Sequence, residues 1–148
     1  MRHYFIKSGE KELIVRVFVI DVNAETYYTD DIQDDIKTYY QIIGCQLIDI
    51  AELQIEDRTF DVICDDEGMF AKNGARPSVV DAKSNVKMVG SLIFCHGDSN
   101  DDEVGLNDGD AAVLNKYMVR VAAEEPNEKD PRPKAWYLLQ YPFKEEDG

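Results

Sequence analysis

The stretch Asp30-Asp31-Ile32-Gln33-Asp34-Asp35-Ile36-Lys37-Thr38-Tyr39-Tyr40-Gln41-Ile42-Ile43-Gly44 decides the fold class, because it is the first segment whose apolar period leaves that of a strand. Ile32, Ile36, Tyr39, Tyr40 and Ile43 recur at helical spacing, while Asp30, Asp31, Asp34, Asp35 and Lys37 take the other face, which predicts an amphipathic helix over Asp30 to Ile43. Thr29 or Asp31 can cap its start. The early aspartates then sit at the positive end of the helix dipole, where each is stabilising by about 0.3–1 kcal/mol. Gly44 stands where a left-handed C-cap residue belongs.

Upstream, Tyr4 to Lys7 and Leu13 to Val22 flank Ser8-Gly9-Glu10 and read as a β-hairpin; the second run is apolar on both faces around Arg16, as an interior strand would be. Downstream, Cys45 to Ala51 and Thr59 to Cys64 read as strands, with Asp65-Asp66-Glu67-Gly68 as a turn and Met69 to Ala71 as a return strand. Lys72 to Asn85 carries the turn signals Asn73-Gly74, Arg76-Pro77 and Ser84-Asn85 and reads as a loop. Val86 to His96 reads as one buried strand, with Gly90 marking a bulge or a close backbone approach, and Asp98 to Glu103 as an exposed acidic loop. Asn107 or Asp108 caps a second helix, Ala111 to Ala123, striped by Val113, Leu114, Tyr117, Met118 and Val121. Glu124 to Pro133 is charged and proline-containing and reads as a linker. Trp136 to Tyr141 reads as an edge strand or clamp, and Lys144 to Gly148 should fray.

The chain has 148 residues, 30 Asp plus Glu against 16 Lys plus Arg, and a formal net charge of −14. Such a charge repels nucleic acid and anionic lipid and speeds encounter with basic surfaces. A hydrophobic content of 44% places that acidity on a folded surface. No apolar run approaches the roughly 20 residues that a bilayer requires, and Met1 to Tyr4 leads into strand-like sequence without a secretory signal, so a cytoplasmic location is expected. Cys45, Cys64 and Cys95 are odd in number and lack CxxC spacing, as buried reduced thiols would be.

The ordered set Ile42-Ile43-Gly44, Asp65-Asp66-Glu67-Gly68, Asn73-Gly74, Val89-Gly90-Ser91 and Leu106-Asn107-Asp108-Gly109-Asp110 resembles the family catalogued as domain of unknown function 3846. Cys45 replaces a second glycine of the family's first turn, and Asp65 stands where asparagine is usual. The resemblance covers roughly Asp30 to Met118. It implies a small protein of bacteriophages, plasmids or other mobile elements, and brings no reaction and no cofactor.

Site chemistry is sparse. Asp98, Asn100 and Asp102 alternate as in a calcium loop, but Glu103 occupies the glycine position and Gly109 the position of the bidentate glutamate. Cys95-His96 lacks the second spaced pair a zinc site needs. His3 and His96 are the chain's two histidines, with no nucleophile, metalloprotease or phosphate-loop motif beside them. Tyr27-Tyr28 and Tyr39-Tyr40 could stack on bases, but pack in a core where no basic groove accompanies them.

The expected fold is α+β, a mostly antiparallel sheet packed with two amphipathic helices, with a domain over 1–123, a linker over 124–133 and a C-terminal aromatic arm over 134–148. The expected function is that of a non-enzymatic acidic interaction protein, inhibiting a basic host protein such as a restriction or CRISPR nuclease complex by mimicking nucleic-acid charge, with no cofactor, no direct nucleic acid and no membrane. Residues four apart on a helix stand about 6 Å apart, so Asp30, Asp31, Asp34, Asp35, Asp98, Asp101 and Asp102 are the expected contacts. The alternatives are a metal- or small-ligand-binding module around Cys95, His96 and Asp98, and a self-assembling protein in which Trp136, Tyr137 and Tyr141 complete a neighbour's sheet.

Overall fold

A computed structural model describes residues 14–45, 47–66, 76–97, 105–122, 128–129, 131 and 135–142. Its first strand, β1 (Ile14–Asp21), is the interior strand its two-faced apolarity implies. Val15, Val17 and Val19 enter one core and Phe18 and Ile20 the other, as the two-residue period of a strand dictates.

The chain then departs from the predicted helix. Asp21 Oδ1 accepts from the N–H groups of Asn23 and Ala24 at 3.0 Å, Glu25 adopts φ 60°, and β2 (Thr26–Gln33) returns antiparallel to β1 over its whole length. Thr26, Tyr27, Tyr28 and Thr29 favour a pleated strand, and Ile32 opposite Val15 gains burial there. Helix α1 starts only at Ile36 (Ile36–Ile43). Asp35 caps it by accepting from Thr38 N–H at 2.8 Å, and Gly44 ends it at φ 77°. Thr29 and Asp31 are not caps, and Asp30 and Asp31 belong to no helix.

Strands β3 (Ile48–Ile55) and β4 (Arg58–Asp65) form an antiparallel hairpin, turning at Glu56 with φ 57°. The segment read as a loop contains β5 (Pro77–Asp81). The run read as one strand is two, β6 (Val86–Val89) and β7 (Leu92–His96). Gly90, at φ 80°, marks the crossing between two different sheets. Helix α2 (Asp108–Lys116) ends well before Ala123, because Met118 to Ala122 pairs with the C-terminal segment as β8 (Met118–Ala122) against β9 (Ala135–Tyr141).

The five-stranded sheet runs β2-β1-β7-β4-β3, antiparallel throughout. The four-stranded sheet runs β6-β5-β9-β8, with β5 and β9 parallel. The aromatic segment is therefore an inner strand of this chain's own sheet, not an edge or an arm offered to a neighbour. Two cores result. Tyr39 and Ile43 of α1 close one over Val15, Val17, Val19, Ile63, Ile93 and Cys95. The other lies between the sheets, where Phe18, Phe60 and Phe94 meet Val79, Leu139 and Tyr141, and Leu114 of α2 joins them.

The structure is thus mostly strand, in two sheets, with little helix. Tyr4 to Lys7, Met69 to Ala71, the Asp98 to Glu103 loop and Lys144 to Gly148 lie outside the described residues, as does most of Glu124 to Pro133. Among the described residues no helix is long and apolar enough to cross a membrane.

Candidate functional site

The end of β7 meets the start of β4 and the N-terminus of α2. Phe60 stands opposite His96 in the ladder, and Gly97 N–H donates to Thr59 O at 3.0 Å. A Cβ at Gly97 would lie 2.9 Å from backbone atoms of Thr59 and Phe60, so only glycine permits this approach. On the facing side, Asn107 and Asp110 form a reciprocal capping box: Asp110 N–H donates to Asn107 Oδ1 at 2.8 Å and Asn107 N–H to Asp110 Oδ2 at 3.0 Å. Leu106 N–H donates to Arg16 O at 2.9 Å, and Arg16 Nη1 pairs with the exposed Asp108 at 2.7 Å, which ties the helix start to β1.

Asp110 is fully buried and is the hub of this region. Besides capping α2, it receives Arg58 Nη1 at 2.8 Å on Oδ1 and lies 3.0 Å from His96 Nδ1 through Oδ2. Burial pushes its carboxyl up, but the Asn107 N–H, the Arg58 guanidinium and the His96 ring more than offset this and hold it below the usual carboxylate range. Facing an ionised Asp110, Nδ1 of His96 carries the proton and donates, so that in the neutral ring Nε2 is the acceptor. Arg58 lies across Gly109, where a Cβ would come within 2.2 Å of Nη2. These groups form the floor of a polar cleft of about 550 Å³, with Glu52 and Asp57 also lining it.

The arrangement supplies a fixed imidazole acceptor, a guanidinium whose charge a buried carboxylate already balances, and two exposed carboxylates. The carboxylates of Glu52 and Asp57 make no hydrogen bond or ion pair among the described residues.

The acids gather somewhere other than the predicted helix. Residues 48–66, the β3–β4 hairpin and the residue after it, carry Asp49, Glu52, Glu56, Asp57, Asp61, Asp65 and Asp66 against one cation, Arg58. Glu52 stands directly opposite Asp61 across the ladder, and like charges so placed destabilise a sheet. Glu56 is drawn aside by α2: Lys116 Nζ and Tyr117 Oη donate to it at 2.7 and 2.6 Å, and these bonds lower its pKa.

The residues expected to meet a partner do not form one patch. Asp30 and Asp31 are exposed on β2 but point to opposite faces, since Asp30 faces Val17 and Asp31 faces Arg16. Asp34 is buried and accepts from the Tyr39 hydroxyl. Asp35 is half-buried and occupied as a cap. Asp98, Asp101 and Asp102 lie outside the described residues. Tyr27 stacks on Phe18 at 5.6 Å and meets Tyr137 edge-on at 5.0 Å, so it is a packing residue.

Cys95 and His96 diverge. Cys95 enters the α1-side core, where burial first and then Asp34 and Asp61 push its thiol up to about 12, while His96 faces the cleft. Burial likewise pushes Cys64 to about 11, with Asp49, Asp65 and Asp66 adding to it. The described cysteines are free, and among the described residues no three His, Cys, Asp or Glu side chains are grouped to hold a metal ion.

Sequence reasoning missed Arg58 and Asp110. The Asn107-to-Asp110 spacing signals the capping box, but the ties from Asp110 to His96 and Arg58 join distant strands and leave no local signature.

A family model described as Domain of unknown function (DUF3846) matches residues 15–122, a longer span than the motifs from Asp30 to Met118 mark out. No curated protein and no solved structure matches the chain.

Proposed function

The chain belongs to the DUF3846 family, and from that premise we propose that it is a non-enzymatic acidic interaction protein of a phage or mobile element. Its partner is a basic nucleic-acid-binding host protein of the restriction or CRISPR nuclease kind, which it inhibits by standing in for nucleic-acid charge.

The observation that carries this reading is the β3–β4 hairpin, with its seven carboxylates to one guanidinium along residues 48–66. Strand β3 is a sheet edge among the described residues. A rise of about 3.3 Å per residue spaces charges on a strand comparably to DNA phosphates, to within a factor of about two. The Glu52–Asp61 juxtaposition costs the fold stability, so its presence is better explained by a role outside the fold. Arg58, the hairpin's one cation, is turned inward and balanced by Asp110. Asp30 and Asp31 add charge on the opposite sheet edge, and Asp98, Asp101 and Asp102 remain in the proposed contact set; Asp34 and Asp35 leave it.

The experiment is competition. Purified restriction and CRISPR nuclease complexes are loaded with labelled DNA, and the protein is titrated in at several salt concentrations. Release of DNA at low salt that weakens as salt rises supports the reading, because exposed charge contacts are screened. DNA that stays bound at every salt concentration removes it.

A further inference from the structure

We propose that the cleft between β4, β7 and α2 receives an arginine side chain of the protein's partner. This deepens the reading above and rests on it for the partner's basic character, while the cleft itself is testable without any partner.

Charge and donor chemistry select the occupant. Arg58 is balanced by the buried Asp110 at 2.8 Å, so the charge left on the lining is that of Asp57, at the β3–β4 turn, and of Glu52, on the β3 side of the mouth. An anion would meet those carboxylates; a cation is drawn to them. Within the cleft, His96 is held with Nδ1 toward Asp110 at 3.0 Å, and its Nε2 has no partner among the described residues. A neutral imidazole so oriented accepts a hydrogen bond. The complementary ligand is a cation with several N–H donors arranged in a plane, to reach carboxylates and a ring nitrogen together. A guanidinium has that geometry, whereas an ammonium is a compact and more strongly hydrated point charge. The floor is preorganised: the capping box fixes Asp110, Asp110 fixes His96, and Gly97 lets β7 lie close against β4. At about 550 Å³ the cleft has room for one long side chain.

The test uses the whole chain and arginine blocked at both ends, followed by NMR of the ring proton on Cε1 of His96. The titrations are run at pH 8, and the sequence's other histidine, His3, is the internal reference. Blocked arginine should move the His96 resonance saturably, and the exposed-site double variant E52Q/D57N should weaken that binding about tenfold. Blocked lysine should bind more weakly. Three results overturn the proposal: no movement of the His96 resonance, tighter binding of blocked glutamate or inorganic phosphate than of blocked arginine, or an equal response to blocked lysine. If blocked arginine binds but the nuclease competition fails, the cleft stands and the inhibitory role falls. The reverse result leaves the hairpin with its role and removes the cleft.

Discussion

His96 Nδ1 lies 3.0 Å from Asp110 Oδ2, joining the last residue of β7 to the first turn of α2. Because Asp110 also receives Arg58 and the Asn107 N–H, one buried carboxylate positions both polar groups on the cleft floor.

Removing that carboxylate leaves Arg58 and His96 without their common partner and breaks the capping box. D110A should therefore destabilise the protein by about 2–4 kcal/mol, a range set below that of a fully buried pair because Arg58 is partly exposed. The shift in urea midpoint measures it. Asp110's folded-state pKa is lowered, so its contribution is complete above the unfolded value of about 4 and is lost as pH falls through the folded value. D110N should flatten the stability profile in that acid range.

Two glycines at this site should respond differently to alanine. At Gly97 the added Cβ meets backbone on β4 at 2.9 Å, which cannot move without disturbing the ladder. G97A should cost about 1–3 kcal/mol. At Gly109 the obstacle is the end of the Arg58 side chain, which can swing away. G109A should cost less than G97A while releasing Arg58 from Asp110. Paired denaturation curves decide the order.

Asp34 and Asp30 should also part company. Asp34 is buried with the Tyr39 hydroxyl donating to it, so Y39F removes a bond from a buried carboxylate and should cost about 1–3 kcal/mol. Asp30 and Asp31 are exposed on an edge strand, and D30N/D31N should change stability by less than about 0.5 kcal/mol. Equal losses in the two variants would contradict the placement of β2.

Strand β9 lies between β5 and β8, pairing with each and contributing Leu139 and Tyr141 to the core between the sheets. A chain ending before Ala135 should lose cooperative unfolding. A truncated chain that melted normally, changed only in its association state, would make the segment a peripheral arm.

What the sequence disclosed was local. Gly44 as a left-handed cap, the interior character of β1 and the cap at Asn107 each follow from a few adjacent residues. The errors came where pairing outweighed period. Ile32 fits a helical stripe with Ile36, yet burial opposite Val15 and the β-forming run before it place it in β2. Met118 and Val121 continue the stripe of α2, but β9 supplies a ladder that takes them as β8. Gly90 reads as a bulge or a close backbone approach within one strand, because a crossing between sheets leaves the same sign, a glycine in an apolar run. Asp65-Asp66, running into Glu67, was legible as an acidic turn, but the hairpin's other carboxylates are spread through two strands in single and paired positions and formed no run. The cleft was illegible for a simpler reason: Arg58, His96 and Asp110 are brought together only by the fold.

The most direct test of the central claim is DNA displacement from a purified basic nuclease complex by the native chain and by a variant with Asp49, Glu52, Asp57 and Asp66 converted to the amides, compared across salt. The account predicts displacement by the native chain that fades with salt and a loss of about tenfold or more in the variant. Equal displacement by both proteins, or a native chain that never displaces DNA, would contradict it.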